Sequence, residues 1–255
     1  MRALFRFEEP PAVSVRDLVG SDTLEVHGAE LAAVYNSRRI AGDFYDFVRI
    51  GPSRILFGVL DVAGALDDCR NIIAAAKQTF RTSGPELFAR PDMNEADAMM
   101  ELCLRLNQVV LKTANGVRSC PAFAGSYDEN LGVVCYFNAG HTPGLLRDQA
   151  GISELPATGL PLGLFSHMTS DAPMVALEPG AVLLLASRGI VEGKRKSEEF
   201  GLARVKNALR ESKAASATEL GVSVLERVEQ FMGKAPTHDD VTVMALSRNS
   251  QEASS

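Results

Sequence analysis

The chain has 255 residues, 46% of them apolar, and a formal net charge of −6. That apolar content closes one substantial core in a single domain, and the acidic balance argues against a nucleic-acid surface, which needs clustered Lys and Arg to meet phosphates. No stretch approaches the roughly 20 uninterrupted apolar residues of a membrane helix, and the N-terminus runs from charge to Pro10-Pro11 without an apolar signal segment, so a cytoplasmic location away from membranes is expected. Residues 1–21 read as an N-terminal tail or connection, 22–247 as one domain, and 248–255 as a disordered polar tail.

Within the domain, 23–36 and 44–50 carry strand-type alternation, and Ile55 to Leu60 is a continuous apolar run that stops at Asp61. Gly51-Pro52-Ser53 joins the last two as a hairpin. A helix is expected over 67–81, capped by Asp67 or Asp68, and a second over 95–114, capped by Asn94 and stopped at Asn115-Gly116. Strands follow at 118–127, 131–138, 143–147 and 152–155, read as an antiparallel meander. A further strand pair, 173–178 and 181–187, is joined by the turn Glu178-Pro179-Gly180. Helices over 201–212 and 216–232 and a strand over 240–246 complete a layered α+β pattern. Gly193 to Lys196 reads as an exposed basic loop tip. Cys69, Cys103, Cys120 and Cys135 have neither C-x-x-C pairing nor histidine at ligand spacing, and read as buried reduced thiols.

Three places set aspartates at the edge of an apolar strand: Gly42-Asp43-Phe44-Tyr45-Asp46, Leu60-Asp61-Val62, and His238-Asp239-Asp240. Taken singly, Asp43 has a plainer reading as a turn cap, Asp61 as the cap of the following helix and Asp239 as a surface acid. Brought together, three such carboxylates would need a cation, and hard oxygen ligands suit Mg²⁺ or Mn²⁺.

The flanks of these acids resemble a known family. Gly42-Asp43-Phe44-Tyr45-Asp46 is similar to the G-D-F-Y-D segment of SpoIIE-type metal-dependent serine/threonine phosphatases of the PPM superfamily, RsbU-like members included. Asp61-Val62-Ala63-Gly64 is similar to their D-V-S-G. Asn138-Ala139-Gly140-His141-Thr142-Pro143 resembles N-A-G-H-N-P, and Thr158 to Gly163, Leu177 to Gly180, Phe200-Gly201 and Asp239 to Thr242 follow in the family's order. The resemblance implies a four-layer α-β-β-α sandwich of two antiparallel sheets flanked by helices. It implies a Mn²⁺ or Mg²⁺ centre of one or two ions, and metal-activated water that hydrolyses phosphoserine or phosphothreonine on a regulatory protein such as an anti-sigma factor antagonist. It also implies roles: Asp61 bridging the metals, the Val62 carbonyl adding a ligand, Asp43 supporting the second ion and Asp239 holding the first, with Asp61 and Asp239 catalytic. The family's sensor segment ahead of the domain has no counterpart in the sequence, and regulation through a separate chain or the N-terminal segment is expected.

Two departures bear on activity. Where the family carries the aspartate of a T-D-G segment, Ser187-Arg188-Gly189 places an arginine, which cannot ligate a metal. After Asp61, Leu66, Asp67 and Asp68 stand where glycine, lysine and small residues are usual. An active phosphatase and a pseudophosphatase acting as a phosphoprotein-binding module therefore both remain open, while no nucleophile elbow supports a Cys or Ser hydrolase. His141 reads as structural within its turn. His238 reads as a loop residue, with general-acid service as the alternative.

Overall fold

Side chains alternate across a strand, so a strand covered on both faces must be apolar at every position, and Ile55 to Leu60 meets that condition. The computed structural model describes residues 20–36, 42–62, 66–90, 92–114, 118–167, 170–233 and 240–250. In chain order its elements are β1 (Gly20–Val26), β2 (Ala29–Asn36), β3 (Gly42–Ile50), β4 (Arg54–Val62), α1 (Leu66–Phe88), α2 (Glu95–Thr113), β5 (Ala122–Asp128), β6 (Val133–Ala139), β7 (Gly144–Asp148) and β8 (Gly151–Leu155). There follow β9 (Met174–Ala176), β10 (Val182–Ala186), the one-turn α3 (Arg188–Val191), the short β11 (Lys194–Arg195) and β12 (Glu198–Glu199), α4 (Gly201–Glu211), α5 (Ala217–Met232) and β13 (Val241–Arg248).

Two antiparallel sheets result, one of six strands in the order β1-β2-β13-β10-β7-β8 and one of five in the order β3-β4-β5-β6-β9. Between them lie Leu31, Ala33, Ile55, Phe57, Phe123, Tyr127 and Leu183. The alternate residues face outward. Leu56 and Leu60 meet Ile72, Ala76 and Phe80 of α1 and Met99, Leu102 and Leu106 of α2, while Ala32 and Val34 meet Leu220, Val224 and Val228 of α5. The expected α-β-β-α sandwich is therefore the observed one, and each fully buried Leu, Ile or Phe contributes about 1.5–3 kcal/mol to it. Gly221 lets α5 approach closely, because a Cβ there would lie 2.6 Å from Val34 Cγ2. Among the described residues no helix is long and apolar enough to cross a membrane.

The structure corrects several expectations. Helix α1 does not stop at residue 81 but runs to Phe88 through Pro85. Leu87 and Phe88 are buried, and their burial outweighs the local cost of a proline, while Gly84 packs directly over Leu56. The strands on either side of Glu178-Pro179-Gly180 are not a pair: β9 joins β6 in one sheet, and β10 joins β7 and β13 in the other. The turn, closed by Ala181 N donating to Glu178 O at 2.8 Å, carries the chain across the sandwich. For the same reason the 118–155 stretch is not one meander but two hairpins, β5-β6 and β7-β8, in different sheets. The basic stretch 194–196 forms one arm and the turn of the small β11-β12 hairpin, with Lys196 at φ 58°. All four cysteines are buried free thiols. The caps expected at Asp67 or Asp68 fall instead within the first turn of α1. Asp239 and His238 lie outside the described residues, as do 1–19 of the expected 1–21 segment and 251–255 of the expected 248–255 tail, whereas Gly20 and Ser21 belong to β1 and Arg248 to β13.

Candidate functional site

Antiparallel pairing of β3 with β4 places Asp43 directly opposite Asp61. Both lie at the end of their strands where β5 has stopped, and Asp61 N donates to Pro121 O at 2.9 Å. Two carboxylates in register on neighbouring strands repel. Asp61 is only 7% exposed, so the cost of its charge must be met by a cation.

Arg188 meets it. The end of β10 turns at Ser187 into α3, and the first residue of that turn sends its guanidinium back across the sandwich. Arg188 Nε lies 2.9 Å from Asp61 Oδ2, and Nη2 donates to Asp61 Oδ1 at 3.4 Å, so both carboxylate oxygens are engaged by one fork. Glu192, one turn on, stands 4.0 Å from the same Nε.

Asp43 has a different environment. Burial pushes its carboxyl up to about 7, the Asp61 charge pushes the same way, and the Ser187 and Thr242 hydroxyls pull it back only in part. Asp240, buried at the start of β13, adds further negative potential. The residue as a whole is partly exposed, yet its Oδ2 is buried and has no hydrogen-bond partner among the described residues. Ser187 and Thr242 are fixed by each other: Ser187 N donates to Thr242 O at 2.9 Å and Thr242 N donates to Ser187 Oγ at 3.0 Å. The hydroxyls thus present themselves from the β10 and β13 ends. Their part was missed in the sequence, although both sit inside segments that carried the resemblance.

The Val62 carbonyl, expected as a ligand, accepts a hydrogen bond from the Cys69 thiol of α1 at 3.2 Å. His141 is buried beneath the site. Its N–H donates to Asn138 Oδ1 at 2.8 Å, and its Nδ1 lies 3.1 Å from Thr142 O. The Thr142 hydroxyl donates to Ala186 O, so Nδ1 carries the proton and the buried Nε2 is a bare acceptor without a partner among the described residues. Burial lowers the His141 pKa to about 4, the Arg188 charge adding to the effect against the Thr142 carbonyl. Asn138 also accepts at its carbonyl from Thr158 N and Gly159 N, at 2.8 and 3.2 Å, which ties the 156–163 loop to this end.

The structure therefore brings Asp43, Asp61 and Arg188 together, with Asp240 nearby, while Asp239 lies outside the described residues. Among the described residues no group of three or more His, Cys, Asp or Glu side chains could hold a metal ion. A metal pair bridged by Asp61 does not fit, because the Arg188 fork engages both of its oxygens. The partnerless Asp43 Oδ2 is an acceptor of the kind a single hard cation satisfies.

Comparison with known proteins gives one family: the SpoIIE description, Stage II sporulation protein E, matches residues 53–249. Protein IcfG of Synechocystis is 23% identical over an alignment of 241 residues that covers 86% of this chain and only 38% of that protein. Phosphoserine phosphatase RsbU of Bacillus subtilis is 24% identical over 242 residues, covering 91% of this chain and 67% of that one. The solved RsbU and RsbW domains of Rv1364c from Mycobacterium tuberculosis superpose with a TM-score of 0.71 at 23% identity, over 88% of this chain and 60% of theirs, a likeness of fold.

Proposed function

The chain belongs to the SpoIIE family of PPM-type phosphatase domains, and from that premise we propose that it recognises a phosphorylated regulatory protein with a centre in which Arg188 replaces a metal ion. The partner class is a phosphoserine or phosphothreonine protein of the anti-sigma factor antagonist kind, and the setting is cytoplasmic signal transduction. One observation carries the reading: the guanidinium of Arg188 closes on both oxygens of Asp61.

That fork has a chemical consequence. Asp61 is committed to a fixed organic cation and is not available to bridge a metal pair. A guanidinium has five N–H donors, and those that make no contact among the described residues can hold phosphoryl oxygens at the partly exposed outer edge of Arg188. A single Mn²⁺ or Mg²⁺ ion at Asp43 would offset phosphoryl charge beside it. The Ser187 and Thr242 hydroxyls hold Asp43 in place. This arrangement supports capture of the phosphoprotein with weak or no turnover.

A second reading, slow metal-dependent hydrolysis, is favoured by the likeness to a relative named as a phosphoserine phosphatase. Turnover of a phosphorylated anti-sigma factor antagonist in Mn²⁺ separates the two. Arg188→Asp is expected to raise the rate at least about tenfold, which is about 1.4 kcal/mol of transition-state stabilisation. Wild-type turnover already equal to that of Arg188→Asp, and abolished by Asp61→Asn, would refute the capture reading.

A further inference from the structure

β3 is the edge strand of the five-stranded sheet and β1 the edge strand of the six-stranded sheet. Between them, under α1, runs a groove of about 490 Å³ lined by the consecutive residues 43–47 of β3, by Asp22 and Thr23 of β1, and by Lys77 and Arg81 of α1. Successive strand residues face opposite ways, so a groove lined by five in a row follows the edge of the strand, where main-chain groups point outward. Among the described residues β3 pairs only with β4.

The walls of the groove are set by polar contacts that leave one charge over. Arg81 donates to both oxygens of Asp46, at 2.6 and 2.7 Å, which neutralises that acid and pins α1 to β3. The Tyr45 hydroxyl donates to Asp22 at 2.6 Å and fixes the spacing of the two edge strands. Lys77, one turn before Arg81 on α1, is exposed and makes no ion pair among the described residues. One end of the groove is Asp43, which faces Asp61 across the hairpin and so adjoins the Arg188 fork.

We propose that this groove receives an extended segment of the phosphorylated partner as an added strand on β3. The phosphorylated residue lies at the Asp43 end beside Arg188, and an acidic side chain a few residues away meets Lys77. Five strand residues span about 17 Å, which is the length of a typical natural strand. Main-chain pairing supplies affinity, as in other cases of strand addition, while Arg188 and Lys77 supply selection. The inference rests on the phosphoprotein reading above, and its test keeps the two apart.

The probe is a fluorescein-labelled nonapeptide with a central phosphoserine flanked on both sides by glutamates, followed by fluorescence anisotropy. Its partner is the same peptide with alternate main-chain nitrogens methylated, which cannot add to an edge but keeps the phosphate and the acids. Methylation is expected to weaken binding about tenfold or more, from the hydrogen bonds lost. Lys77→Glu is expected to weaken it about fivefold, and the bound parent peptide should slow amide exchange at 43–47. Equal affinity of the methylated and parent peptides, or no binding up to about 1 mM, overturns strand addition. Loss of binding in Arg188→Ala together with indifference to methylation would overturn the groove and leave the phosphoprotein reading standing. Equal binding of phosphorylated and unphosphorylated peptides, with methylation still harmful, would do the reverse.

Discussion

Replacing Arg188 by alanine removes both contacts to Asp61 and leaves a carboxylate that is 7% exposed opposite Asp43. Truncating one partner of a buried ion pair costs about 3–5 kcal/mol. Arg188 is 37% exposed in its side chain, so water screens the pair and takes up part of the loss. About 2 kcal/mol is the resulting expectation, and for a chain of this size that lowers Tm by about 4–8 °C. Added Mn²⁺ should restore the loss in the variant, because the uncovered acids then have an ion to bind. At a concentration of about 100 times Kd that binding is worth about 2.7 kcal/mol. Wild type, which has at most the single Asp43 ion to bind, should gain less in Mn²⁺ over chelator than the variant does. The chain lacks tryptophan, so melting is followed by circular dichroism. Arg188→Ala melting within about 1 °C of wild type, with no response to Mn²⁺, would refute the claim that the fork neutralises the site.

His141 titrates in the fold at about 4 against 6.5 in a free chain, so the neutral form is the one the fold favours. Stability is then complete above pH 6.5 and falls as pH drops toward 4, by up to about 3 kcal/mol. His141→Gln should flatten that limb of a urea-denaturation profile against pH. Asn107 of α2 accepts from Gly163 N at 2.8 Å and donates to Phe165 O at 2.9 Å. Asn107→Ala should cost about 2–4 kcal/mol, from two main-chain groups left unpaired, and speed amide exchange in 160–166. Gly221→Ala should destabilise by about 1–3 kcal/mol in chemical denaturation, because overpacking against Val34 exceeds the helical gain of alanine.

Much of this arrangement is legible in the sequence because strand ends announce themselves. Asp43 opens β3 and Asp61 closes the apolar run of β4, and the three-residue turn Gly51-Pro52-Ser53, with Gly51 at φ 63°, fixes their register, so their meeting follows from local pattern. Arg188 is visible as a basic residue where an acid would be expected, immediately after an apolar strand. Other features depend on partners distant in sequence. Glu178-Pro179-Gly180 announces a turn but carries no mark of which sheet each flank joins, so β9 and β10 read as a pair when they are not. Helical spacing in the sequence carries α1 only to residue 81, and the burial of Leu87 and Phe88 against the sheet and α2 keeps it helical on through Ser83-Gly84-Pro85. The tuning of Asp43 by Ser187, Thr242 and Asp240 needs the β10 and β13 ends side by side, which no spacing in the sequence encodes.

The claim that Arg188 occupies the place of a cation is tested most directly by counting ions. Calorimetric titration of the wild-type protein with Mn²⁺ should give at most one ion per chain, and titration of Arg188→Asp should give two. Two ions bound by the wild type would contradict the account, since Asp61 would then serve metals in spite of the guanidinium fork.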